Sequence, residues 1–457
     1  MDAPATVTAW WGQVSIRGRG AALAIVTALA LTTTARADSP TNLADKNDGG
    51  YVTGLPLFAY STDLGLGLGA RAYYYWNGHR DDPRFAQTPY LYRVFLQGFA
   101  STRGVQFHWL DFDAPKIAGS AYRVRSQLIY QRNINSNYFG LGERALPPLR
   151  FPASDRSYDA YDDYLRDQQR ITGGQTYGKY DQYDLLRPIF IASVERLFAR
   201  DRVRVLAGFG ASYARIRDYT GKQVDATDDA GHDTKATQAT TRLADDCAAG
   251  RIVGCDGGRD DYLRLGISYD TRDYEPDPNR GVFLDLALDV GTVALGSEYD
   301  YVRLLVAARG YWSPFARADL VLAGRLLFEA QSNGAPFFSM NTLPFTEDPR
   351  AGLGGHRTLR GFRQDRFVGS VMTLANLEVR WTFGHARVWG QRFGFIVAPF
   401  YDLGRPYDAL GDLTPYDWQA SYGGAFRIAW NLATVITVDY GRSSEDAGFY
   451  VNFNHIF

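Results

Sequence analysis

Along most of the chain, polar and apolar residues alternate one by one. At 262–270, Tyr262, Arg264, Gly266, Ser268 and Asp270 share one face, while Leu263, Leu265, Ile267 and Tyr269 share the other. At 283–291, Phe283, Asp285, Ala287, Asp289 and Gly291 oppose Leu284, Leu286, Leu288 and Val290. Arg303, Ala307 and Arg309 oppose Val302, Leu304, Val306 and Ala308. Asp319, Arg325 and Glu329 oppose Leu320, Leu322, Leu326 and Phe328. A period of two is that of a β-strand, whose successive side chains point to opposite faces. Followed along the chain, it predicts sixteen strands: 52–61, 64–76, 91–100, 104–112, 119–131, 182–197, 203–217, 261–270, 281–291, 299–312, 318–330, 370–383, 393–402, 419–430, 433–441 and 448–457.

One face of these strands is apolar for about ten residues while the other carries full charges, the pattern of a transmembrane barrel with lipid outside and a polar lumen. A soluble sandwich would hide its apolar face and expose its charges. Tyr299, Tyr301, Tyr311 and Trp312 bracket one strand and read as an interface girdle. The fold class expected is all-β, a 16-stranded antiparallel transmembrane β-barrel. An even count places both ends on the periplasmic side. The long connections 132–181, 218–260 and 331–369 then follow odd strands and face outward. The short ones, 199–202, 313–317 and 431–433, follow even strands and face inward, with the longer stretch 77–90 as the exception. Loop 331–369 is expected to fold into the lumen.

Composition narrows the class. Tyr 30, Phe 27, Trp 9 and Gly 47 come without any apolar run after the first forty residues that could form a membrane helix, which needs roughly 20 residues. That combination leaves a soluble β-protein or a membrane barrel. At the N-terminus, Arg17 and Arg19 precede the apolar run Ala21 to Leu31, and Ala35-Arg36-Ala37 supplies small residues for cleavage. Residues 1–37 therefore read as a secretory signal peptide, 38–51 as a short periplasmic segment and 52–457 as the outer-membrane barrel of a Gram-negative bacterium. Five of the 49 basic residues are Lys and the rest Arg; Arg suits fixed pairing with carboxylates, although a GC-rich genome gives the same bias. A formal net charge of -1 gives no electrostatic footprint for nucleic acid. In the oxidising compartment that a signal peptide implies, Cys247 and Cys255 are candidates for a loop-stapling disulfide. The Asp-rich loop 218–260 lacks the ligand spacing of a metal site and reads as solvated. No cofactor is expected. None of His79, His108, His232, His356, His385 and His455 belongs to a recognisable Ser/His arrangement, so no enzyme is expected.

One stretch asks for its own explanation. Residues 354–365, GGHRTLRGFRQD, hold an arginine between apolar residues and a glycine. If the loop enters the lumen, Arg360 needs carboxylates. Glu378 and Asp402 fall on the polar faces of the two following strands, where one planar guanidinium could bridge them.

These residues resemble a family: the BamA/TamA-like surface-antigen barrels of bacterial outer membranes, related to two-partner-secretion transporters. Leu359-Arg360-Gly361-Phe362 matches the tip of their lumen loop. Leu377-Glu378 and Phe400-x-Asp402-x-Gly404 match its docking strands. The turn from Tyr269 to Gly281 is similar to theirs. So is the closing run 449–457, in which Phe449, Val451, Phe453 and Phe457 look like an outer-membrane insertion signal. The resemblance is firm over 260–457. It implies a monomeric barrel in outer-membrane lipid that acts in membrane biogenesis or in protein or lipid translocation, with a periplasmic or outer-membrane protein as client or accessory subunit. Assembly factors of the family carry periplasmic POTRA domains; residues 38–51 are too few for one, so the resemblance points to a barrel-only branch. The competing reading is a passive solute channel. Gly65, Gly67 and Gly69 share a strand face that would admit close approach of the loop or simply relax curvature.

Overall fold

The computed structural model describes residues 47–61, 65–85, 88–275, 277–315, 319–340, 342–344, 349–388, 391–430, 434–453 and 455–457. The expected signal peptide, most of the segment 38–51 and the turn 431–433 lie outside the described residues.

The sixteen strands form one antiparallel sheet in simple chain order. They are β1 (Gly50–Ser61), β2 (Gly65–Trp76), β3 (Tyr92–Ser101), β4 (Val105–Ala114), β5 (Tyr122–Asn137), β6 (Gln182–Phe198), β7 (Val203–Arg217) and β8 (Gly257–Asp270). The second half is β9 (Gly281–Gly291), β10 (Tyr301–Trp312), β11 (Leu320–Gln331), β12 (Val371–Val388), β13 (Gln391–Tyr407), β14 (Gln419–Trp430), β15 (Thr434–Ser443) and β16 (Ala447–Phe453). The sheet curls into a nearly closed barrel. Among the described residues no ladder joins β1 to β16, so the seam lies between them.

The faces divide as the alternation requires. Leu263, Leu265 and Ile267 are 47%, 57% and 49% exposed, and Leu284, Leu286, Val302 and Trp381 continue the same apolar band. Such an apolar band, where no helix of the described residues is long and apolar enough to cross a membrane, is the lipid-facing wall. On the inner face the charges pair between strands. Arg264 Nε donates to Asp289 at 2.6 Å, and Arg303 lies beside Glu329.

Three expectations need correction. Tyr299, Tyr301 and Tyr311 are buried rather than at the lipid interface, and only Trp312 is exposed. Parity decides this: Tyr301 and Tyr311 fall on the same face as Arg303 and Arg309, and the Tyr301 hydroxyl donates to Asp260 at 2.8 Å. On the glycine face of β2, a Cβ at Gly67 would meet the Phe99 ring of β3 at 2.1 Å, so the bare backbone there admits its neighbouring strand. The last strand ends at Phe453 rather than at 457. The connection 218–256 is not merely solvated, since it folds together with 138–181 into a cap. The cap holds helices α1 (Tyr161–Gln169) and α2 (Arg242–Ala248) and a small sheet of Gln175–Thr176, Asp233–Gln238 and Gln223–Thr227. Its aromatic core includes Phe139, Phe151, Tyr158, Tyr161 and Tyr164. Asp246 is buried there, accepting from Tyr138, Arg144 and Arg251. Lys179, Lys222 and Lys235 lie in the cap, whereas Lys116 pairs with Asp201 at 2.7 Å on the opposite rim.

Candidate functional site

Three inner-face strands, β12, β13 and β15, converge on Arg360, and β14 joins through Arg427. In the β12–β13 register, Asn376 faces Asp402 and Glu378 faces Phe400. The two carboxylates are therefore diagonal neighbours with an aromatic ring between them. The Arg360 guanidinium lies 3.3 Å from the centroid of the Phe400 ring. Its Nε and Nη2 donate to the two oxygens of Asp402 at 2.9 Å each, and Nη1 donates to Glu378 at 2.8 Å and to Asp439 of β15 at 3.3 Å. Arg360 is fully buried, as are Glu378 and Asp402. The planar fork fits this layout, because one edge takes a carboxylate bidentately while the third nitrogen reaches another.

Glu378 also accepts from Arg380 at 2.8 Å and from Arg427 of β14 at 2.6 and 2.8 Å. Asp402 further accepts from Asn376 at 2.7 Å. Arg360, Arg380 and Arg427 thus balance Glu378, Asp402 and Asp439. Charges this deeply buried persist only where each is neutralised and hydrogen-bonded.

The neighbours of Arg360 shape its approach. Gly361 has φ +98, and a Cβ there would stand 2.7 Å from the Arg442 backbone nitrogen. Its own N–H donates to the Tyr450 hydroxyl at 3.1 Å. Gly441 of β15 faces the same contact, since a Cβ on it would meet Arg360 at 2.7 Å. Both glycines let two backbones touch. Leu359 and Phe362 are buried in one cluster with Leu353, Phe367, Met372 and Leu374, and Gly404 leaves room for the Leu359 methyls. Past the tip, Arg366 holds Glu445 with two hydrogen bonds of 2.7 and 2.8 Å, and Arg363 pairs with Asp446 at 2.7 Å. The connection between β11 and β12 is therefore held at two places, on β12–β15 and on the β15–β16 turn.

All the residues expected at the arginine contact (Leu359, Arg360, Gly361, Phe362, Glu378, Phe400, Asp402, Gly404) come together. Sequence reasoning missed Arg427, Asp439, Gly441 and Tyr450. The signal was present in TVITVDYGRS, where Thr437, Asp439 and Gly441 share the polar parity.

The closing run divides in two. Phe449 is exposed on the lipid face and Val451 is half-buried, but Phe457 does not continue that row. Residues 455–457 turn to the inner face. Ile456 and Phe457 pack on Tyr311, Val321 and Ala323, and Arg380 donates to the Phe457 carbonyl at 2.9 Å. The small inner-face side chains Val321 and Ala323 provide the apolar seat. His455 bridges Arg427 at 2.7 Å and Asp277 of the β8–β9 turn at 2.8 Å. Cys247 and Cys255 are bonded to each other in the cap.

Sixteen antiparallel strands, an apolar outer wall and a charged interior define a membrane β-barrel. The model of the Omp85 superfamily domain matches residues 108–455, and the chain belongs to that superfamily of outer-membrane barrels. A second model, a domain of unknown function (DUF5982), matches residues 32–91. No curated protein matches the chain. Among solved structures, BamA from Haemophilus ducreyi lacking POTRA domains 1–3 is similar at TM-score 0.50 and 12% identity, over 90% of this chain and 70% of that one. CdiB from Escherichia coli is similar at TM-score 0.47 and 10% identity, over 88% of this chain and 62% of that one. CdiB from Acinetobacter baumannii gives 0.43 and 10%, over 89% and 60%. The family agrees with the resemblance read from residues 260–457.

Proposed function

We propose that the protein acts in outer-membrane biogenesis or in translocation of protein or lipid, as a monomeric barrel whose β11–β12 loop fills the lumen and is latched by Arg360. Residues 1–37 serve as its export signal, and a periplasmic or outer-membrane protein is its client or accessory subunit. The observation that supports the reading is the complete burial of Arg360 between Glu378 and Asp402. A plain pore gains nothing from three buried arginines clamped on three carboxylates across its wall. A barrel that must stay sealed until a partner arrives does.

The test is single-channel conductance of the refolded barrel, wild type against Arg360→Ala. A quiet or flickering wild type and a larger, noisier conductance in the variant are expected. A steady open conductance that ignores Arg360 would replace this reading with a passive solute channel.

A further inference from the structure

A cavity of about 300 Å³ lies between the cap and Arg366 of the β11–β12 loop, away from the Arg360 contact. Four arginines line it, Arg144, Arg150, Arg242 and Arg366, together with apolar surface from Phe139 and Leu149, and no acidic side chain lines it. The arginines fall into two kinds. Arg242 and Arg366 are already committed. Arg242 Nε donates to Asp181 at 2.6 Å, and the fork of Arg366 is spent on Glu445 and the Ala145 carbonyl. Their charges are balanced by Asp181 and Glu445, so they shape the wall rather than charge it. Arg144 and Arg150 have donors to spare. Arg144 is exposed and makes one hydrogen bond, to Asp246, at 2.9 Å, and Arg251 already shares that carboxylate oxygen. The Arg150 side chain is exposed and makes no hydrogen bond or ion pair with the described residues.

The backbone beneath Arg150 is nevertheless fixed. Its carbonyl accepts from Arg242 at 2.8 Å and from the Tyr164 hydroxyl at 3.1 Å, and Leu149 pairs with Tyr158. A free guanidinium on a fixed backbone, lining the same cavity as a second half-used one with no carboxylate in that lining, is an arrangement for an anion. Planar forks favour oxyanions that take two parallel hydrogen bonds. The volume exceeds a bare oxyanion, and the apolar wall suits the carbon skeleton attached to it.

We propose that this cavity binds a phosphate monoester, with Arg144 and Arg150 gripping the phosphate and the Phe139–Leu149 wall taking the attached group. The two gripping arginines both belong to the cap, so the test does not pass through the Arg360 contact, although Arg366 of the β11–β12 loop forms part of the wall. The phosphate comes either from a soluble phosphorylated sugar or from a glycolipid of the outer leaflet.

Calorimetric titration of the full detergent-solubilised chain separates the cases, with glucose 6-phosphate as the soluble probe, glucose as its control and vesicles containing lipopolysaccharide as the lipid probe. Arg150→Gln keeps the fold, because its side chain has no structural contact, and heat-modifiable gel migration confirms that in each variant. Saturable binding of glucose 6-phosphate but not glucose, weakened roughly tenfold by Arg150→Gln and further by adding Arg144→Gln, supports the site with a soluble ligand. The same losses seen only with the vesicles support it with a lipid source. Binding to neither probe, or binding that both variants leave unchanged, overturns it.

Discussion

Arg360 pairs with three buried carboxylates, and its replacement separates charge from shape. Removing one partner from a buried, hydrogen-bonded ion pair costs about 3–5 kcal/mol, because the stranded charges stay behind. Arg360→Ala is therefore expected to free the loop to protease while heat-modifiable migration still reports a folded barrel. Uniform protease resistance would contradict this. Arg360→Lys keeps the charge but has no planar fork to take Asp402 bidentately and reach Glu378 as well. It should fall between wild type and Ala in the same assay. Gly361→Ala tests shape alone: a positive φ and a 2.7 Å approach to the Arg442 nitrogen leave no space for a Cβ. The expected cost is about 1–3 kcal/mol in loop docking, read as faster amide exchange over 354–367 with the strands unchanged.

Among the elements, strands and connections differ in how far the sequence announces them. Each strand is bounded by lipid on one side and paired charges on the other, so residue parity alone places Leu263, Arg264 and Leu265 correctly. The same logic located Glu378 and Asp402. Parity fails where a side chain serves neither environment. Tyr301 looks like an interface aromatic in one dimension, yet its hydroxyl is committed to Asp260 on the inner face. The cap was illegible for a different reason. Asp246 and Tyr138 lie more than a hundred positions apart, and nothing local says that a loop aspartate will be buried beneath a tyrosine and two arginines. The disulfide belongs to this level. It closes a short loop, eight positions apart, so its contribution is about 2–3 kcal/mol on chain-entropy grounds. Reduction should raise amide exchange through α2 and the 249–256 segment and leave β7 and β8 protected. Exchange that spreads down those strands would mean that the disulfide supports the barrel itself.

At the scale of the whole molecule, contacts on one side of the barrel are tied to one another. The β11–β12 connection, the β15–β16 turn, the β8–β9 turn and residues 455–457 all meet the inner faces of β11 to β15 or each other. If the loop acts as one body with these contacts, Arg360→Ala combined with Arg366→Ala should fall short of the sum of the single effects on chemical unfolding, because losing either anchor already weakens the other. Strict additivity would show two independent contacts. The basic residues have a consequence of their own. Arginine fills the wall, and the described lysines are left to the two rims, with Lys222 and Lys235 exposed in the cap and Lys116 at the far end beside Asp201. An amine-reactive reagent that cannot cross the outer membrane would mark the cap lysines on living cells and spare Lys116, so a mass spectrum of labelled peptides would read the barrel's orientation without any engineered tag.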